Sequence, residues 1–266
     1  MATDMPTSFF GWVVFVLHQY GGALLQGAGV TLLLAIFGTF IGCIIGLLVG
    51  IVQTIPITER TNPGIKIVNK IVQFIFAAYV EIFRGTPMIV QAMVVYYGSM
   101  AVFQIDMSAM AAGFLVVSVN TGAYMAETVR GGIISIDKGQ TEAAMAIGMN
   151  HIQTMCKVIL PQSLKNIMPQ IGNNLIINIK DTSVLNVISV TELYFVSKSA
   201  AGVYYRYFEV FFVTCVIYFI MTFIASRILR YIERRMAGSA DYQLVSDPFA
   251  DPTGVFPNNT PKKGGK

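Results

Sequence analysis

Glu142-Ala143-Ala144, Gly148 and Leu160-Pro161 lie in one polar interruption, roughly Asp137 to Pro169, between long apolar runs. Ala143, Ala144, Ala146 and Ile147 make a small-residue, partly apolar helical face. Gly148 is placed to end or sharply turn that helix. Beyond the turn, His151, Ile152 and Met155 recur at spacings that suit a second apolar face. Leu160-Pro161 should stop this second element and begin the climb into the next apolar run. A chain this apolar elsewhere uses so long and patterned a segment to touch something soluble. The plainer reading is an amphipathic helix that ends at a proline.

The flanking sequence says what kind of chain carries this segment. Of 266 residues, 55% are hydrophobic and only 12% charged, against about 25% charged in globular domains. Met5 to Thr58 holds no Asp, Glu, Lys or Arg, and further uncharged windows run from Gly85 to Ile105, Met107 to Ala126, Asn166 to Ile179 and Val210 to Ser226. About 20 helical residues cross a hydrocarbon core. Spanning backbone must satisfy its own hydrogen bonds, which selects helices. The fold class is therefore an all-α polytopic membrane protein.

Five spans are expected: about Gly22 to Gln53, Val68 to Met100, Ala109 to Ser135, Asn166 to Val190, and Glu209 to Tyr231. In the first, Gly38, Gly42, Gly46 and Gly50 repeat every fourth residue, a face on which another helix can approach closely. The second is long for one crossing and holds Pro87, so a kink or an inner extension is expected there. Phe9 to Tyr20 is too short to span and reads as an interfacial stretch of an extracytoplasmic segment 1–21. Residues 22–236 make the membrane domain, and the Pro-, Gly-, Asn- and Lys-rich 237–266 a disordered cytoplasmic tail.

Charge orients the chain. With the N-terminus outside, the inner segments hold 14 Lys and Arg, from Arg60 through Lys266, and the outer segments only Lys198 and Arg206. That bias is the positive-inside rule. It places Glu142 to Pro161 and the C-terminus in the cytoplasm. The net charge of +4 thus reports topology and gives no nucleic-acid signal. Cys43, Cys156 and Cys215 are scattered over two spans and a loop, which suits small apolar fillers and no metal or disulfide framework.

The pattern E-A-A, three residues, Gly, nine residues, I-x-L-P resembles the loop by which permeases of ATP-binding-cassette (ABC) importers dock onto their ATPase; Val158 stands here in place of the Ile. Phe83-Arg84-Gly85-Thr86-Pro87 with Gln91 resembles a signature of permeases for polar amino acids. So do Asn120-Thr121-Gly122-Ala123-Tyr124-Met125-Ala126-Glu127, Arg130-Gly131-Gly132, and Lys180-Asp181-Thr182-Ser183. The ordered set covers about residues 22 to 232. It implies the type I importer permease fold in a bacterial inner membrane, with five helices per subunit. It also implies a second copy or a related permease, an ABC ATPase subunit that binds ATP and Mg, and an extracytoplasmic solute-binding protein. The chain itself has no G-x-x-x-x-G-K-[ST] loop and is expected to be neither an enzyme nor a carrier of a cofactor or metal.

A charge near the bilayer centre is costly unless it is paired or faces a polar cavity. Glu81 and Arg84 are three residues apart and share a helix face, so they either pair or meet substrate. An amino acid brings an ammonium, for which Glu81 and Asp181 are the candidates. Its carboxylate would find Asn120, Thr121, Thr182 and Ser183, and Gly122 would let it approach the backbone. Arg84, Gly85, Thr86 and Pro87 are gating residues or only bend the helix. Glu127 and Arg130, near the inner end of the third span, read as interfacial or gate-linking. Competing readings are an ABC permease for another small solute and an ion-coupled secondary transporter. Five spans without an internal repeat, plus the patterned inner loop, argue against the latter.

Overall fold

The computed structural model describes residues 5–55 and 63–237, all of whose regular elements are helical. Arg60 and the tail from residue 238 onward lie outside the described residues.

The first helix, α1 (Phe9–Gln53), starts at Ser8, whose hydroxyl accepts from Gly11 N at 3.1 Å. At 45 residues it is about 67 Å long at 1.5 Å per residue. Phe9 to Tyr20 is therefore no separate interfacial piece but the first three turns of α1. Propensity alone disfavours a helix through Gly21-Gly22, by up to ~1 kcal/mol per glycine. Burial of Trp12, Val16 and Leu24 offsets that cost.

The expected second span is two helices, α2 (Pro63–Gly85) and α3 (Met88–Phe103), broken at Thr86-Pro87. Then come α4 (Ala109–Ile134), capped by Ser108, and α5 (Lys138–Ala146), capped by Asp137. The short α6 (His151–Thr154) opens on a reciprocal Asn150–Gln153 capping box. A π-helical turn over Met155–Ile159 joins it to α7 (Leu160–Asp181), which tightens into a 3₁₀ segment, Thr182–Ile188. Leu160-Pro161 does not stop the element as expected. Pro161 follows directly on the π-helical turn, where Leu160 N still bonds back to Met155 O, so the helical path runs on into α7. An unexpected α8 (Leu193–Tyr204) precedes α9 (Tyr207–Ala237).

By length and apolarity alone α1, α4 and α9 are long enough to cross a bilayer. The α2–α3 pair is divided by Pro87, and α7 carries Lys165, Lys180 and Asp181.

The glycine ladder of α1 packs on α4 in parallel register. A Cβ added at Gly38 would strike Val117, at Gly42 Thr121, at Gly46 Met125 and at Gly50 Val129. That seam is the packing face the sequence predicts. Asn178 of α7 closes it, its amide donating to Thr39 Oγ1 at 2.7 Å and Thr121 Oγ1 at 2.9 Å. On the other side Glu192, fully buried, caps α8 by accepting from Tyr194 N and Phe195 N, and also takes the Tyr218 hydroxyl at 3.1 Å.

Candidate functional site

Pro87 determines the local geometry. Having no N–H, it cannot serve the carbonyl four residues back, which is that of Phe83. The Gln91 amide donates to Phe83 O at 2.9 Å and to Thr86 O at 3.0 Å. The Asn120 amide, from α4, donates to Phe83 O at 3.1 Å and to Gln91 Oε1 at 3.0 Å. The break between α2 and α3 is thus clamped by two side-chain amides, one from each neighbouring helix.

Arg84 leaves the end of α2 beside this clamp. It is ion-paired with Glu127 of α4, and its guanidinium stands 5.5 Å from the centroid of the Tyr124 ring. Glu127 also has Arg130 at 3.9 Å, one turn along. The expected Glu81–Arg84 pair does not form, because Arg84 reaches across to α4 and Glu81 is left facing open space. These groups, with Gln53 of α1 and Gln73 of α2, line a cavity of about 690 Å³. It is polar and charged, though the helices around it are apolar.

The structure distributes the other sequence-predicted substrate residues differently. Thr121 is buried and accepts the Asn178 amide. The space over Gly122 is filled, since an added Cβ would sit 2.6 Å from Tyr79 Oη and 2.8 Å from Ile45 Cγ2. Tyr79 and Ile45 thus pack against the face of Gly122. Thr182 is fully buried and donates to Ile179 O at 3.1 Å. Asn120 spends its amide on the clamp. Asp181 is exposed and Ser183 half-buried at the α7–3₁₀ junction, and neither lines the cavity. Glu81, Arg84 and Gly85 do line it. Tyr79, whose hydroxyl donates to Val119 O at 2.6 Å, ties α2 to α4 and was not singled out in the sequence. A hydroxyl inside an apolar run was the available signal.

The patterned inner segment forms a helix–turn–helix. At the end of α5, Gly148 N donates to Met145 O at 3.0 Å and Met149 N to Ala144 O at 3.1 Å. This is the paired C-terminal bonding that a left-handed residue permits, and Gly148 supplies it with φ +85°. The turn thus lies where the sequence predicts. Ala144 is buried, Glu142 and Ala143 are exposed, and Ile147 and Ile152 are 76% and 73% exposed. Two bare isoleucines flank the turn. Gln162 Nε2, bonded to Gln140 Oε1 at 3.2 Å, ties α5 back to α7.

The chain as a whole is similar to several known proteins. The family described as binding-protein-dependent transport system inner membrane component matches residues 64–238. The glutamine transport system permease protein of Escherichia coli K12 is 37% identical over 214 residues, 80% of this chain and 92% of that protein. The arginine transport system permease protein of Bacillus subtilis is 32% identical over 215 residues, again 80% and 92%. Among solved structures, an amino acid ABC transporter with histidines is 33% identical with a TM-score of 0.73, covering 88% of this chain and all of that one. An inward-facing methionine ABC transporter, at 21% identity and a TM-score of 0.68, shares the fold.

Proposed function

The chain belongs to the binding-protein-dependent transport system inner membrane component family, and from that membership we propose that it forms the membrane pathway for a polar amino acid. The observation that carries the substrate class is the charged cavity beside the Pro87 break. It offers both signs of charge to a solute that carries both, in a chain whose relatives include glutamine and arginine permeases.

In this reading an extracytoplasmic binding protein delivers the amino acid, and a separate ATPase, holding ATP and Mg, supplies the energy. The inner helix–turn–helix is the docking element. Glu142, Ala143, Ala144 and Gly148 shape it, and Ile147 and Ile152 provide an apolar face that a cleft in the ATPase would cover. Leu160 and Pro161 carry it into α7. A second permease, identical or related, completes the pathway. Charge asymmetry supports an inner-membrane topology with the N-terminus outside and the C-terminus in the cytoplasm.

Reconstitution tests this. The permease, its ATPase and its binding protein in proteoliposomes should accumulate labelled L-glutamine or L-arginine only with ATP inside and binding protein outside. Uptake that ignores ATP, or that is confined to a sugar or metal, would overturn the proposal.

A further inference from the structure

The cavity holds four charged side chains that do not neutralise one another evenly. Arg84 and Glu127 form a closed pair. Arg130 touches the same carboxylate only at 3.9 Å, well beyond the 2.7–2.9 Å usual for charge-assisted bonds. Most of its five N–H donors are therefore uncommitted. Among the described residues Glu81 has no cationic partner. The set is thus a satisfied pair plus one spare cation and one spare anion, all lining the same space.

The topology places the two spare charges on helices of opposite direction that line one cavity. The α1–α4 seam is parallel, so the end of α4 lies beside the end of α1, Val129 against Gly50. The α2–α3 path leaves the end of α1 and returns to the start of α4, and so runs opposite to α4. Side chains lean toward the N-terminus of their own helix. Glu81 on α2 and Arg130 on α4 thus come to the cavity on helices whose side chains tilt in opposite senses. The volume, about 690 Å³, falls within the roughly 300–1,000 Å³ of small-molecule sites.

We propose that Glu81 and Arg130 are the two poles of a zwitterion site: the Glu81 carboxylate takes the α-ammonium of the solute and the Arg130 guanidinium takes its α-carboxylate, in the fork geometry that suits it. This rests on the amino-acid reading given above and makes it specific. The site reads the part common to all α-amino acids, leaving the side chain to the rest of the cavity. Arg84 and Glu127 act as positioning residues, their pairing keeping Arg84 away from Glu81.

The test uses the assembled permease–ATPase complex and labelled L-arginine. Unlabelled agmatine, which lacks the carboxylate, and 5-guanidinopentanoate, which lacks the α-amine, serve as competitors, with L-glutamine, 4-aminobutanamide and glutaramate as a second series. Wild type should prefer the intact amino acid over either truncated analogue by at least about tenfold, the scale of one charge-assisted bond. Arg130→Gln should abolish the preference over the decarboxylated analogue and keep the preference over the deaminated one. Glu81→Gln should do the reverse. Arg130→Lys and Glu81→Asp should retain part of each, which separates lost recognition from lost folding. If both neutral variants keep both preferences, the site is wrong while amino-acid transport stands. If wild type binds and transports no amino acid of either series, the functional reading fails and the site falls with it.

Discussion

Gln91 donates its side-chain amide at 2.9 Å to the carbonyl of Phe83, the acceptor that Pro87 leaves without its helical N–H. A bend in an apolar span frees polar backbone groups, and each one left unmet in a membrane is costly. The proline and the glutamine four residues later are one device, bend and repair. Asn120 joins α4 to it through the same carbonyl.

Gln91→Ala should therefore destabilise the chain by about 1–3 kcal/mol, because it removes one donor to Phe83 O, the donor to Thr86 O and the acceptor of the Asn120 amide. Asn120→Ala should cost less, since Phe83 O keeps its bond from Gln91. The two side chains are hydrogen-bonded to each other, so their effects should not add. Unfolding of the single and double variants in detergent measures this. Strictly additive losses would mean that the clamp does not act as a unit.

The glycine seam makes a contrast within one helix. A Cβ at Gly46 would collide with Met125 and stand 2.8 Å from Ala126 N, whereas at Gly29 nothing lies within 4 Å. Gly46→Leu should lower the unfolding midpoint sharply, by at least the ~1–3 kcal/mol of an overpacked core. Gly29→Ala should be neutral or slightly stabilising, because alanine favours helix over glycine by roughly 0.5–1 kcal/mol. Equal effects at the two positions would contradict the packing of α1 on α4.

Much of this was legible in the sequence. Period-four glycines announced the seam, charge-free windows located the long helices, and Gly148 marked the inner turn. What the sequence hid is where a polar group in an apolar run finds its partner. Arg84 has Glu81 one turn away but pairs with Glu127, 43 positions on, because α2 packs against α4. Thr121, Gly122 and Thr182 have the chemistry of ligand contacts, yet Asn178, Tyr79 and Ile179 occupy them. A motif gives residue types; only packing says which of them are already spoken for.

Glu192 shows the same point on the other side of the bundle. It is fully buried among Tyr194 N, Phe195 N and the Tyr218 hydroxyl, and no ligand is needed to account for it. Glu192→Leu would orphan the N-terminal donors of α8, at about 1–3 kcal/mol each. Glu192→Gln, which keeps one acceptor oxygen, should cost clearly less. The ordering of the two midpoints is the readout. If leucine is tolerated as well as glutamine, the α8 cap does not hold α8 to α9.

Gly148 offers the sharpest test of the proposed docking role, since its only constraint is conformational. Its φ is +85° and an added Cβ would meet nothing within 4 Å, so substitution strains the turn without disturbing any neighbour. The left-handed region costs an ordinary residue roughly 1–2 kcal/mol, Asn and Asp somewhat less, and a β-branched residue more. Gly148→Asn, →Ala and →Val should form a graded series. ATP-driven uptake and ATPase co-purification should fall in that order, while the unfolding midpoint of the helix bundle stays constant, because α5 and its turn lie outside the buried seam. Full coupling in Gly148→Val would show that this turn is not the contact through which ATP hydrolysis reaches the helices. A parallel fall in bundle stability would show that it is a structural brace.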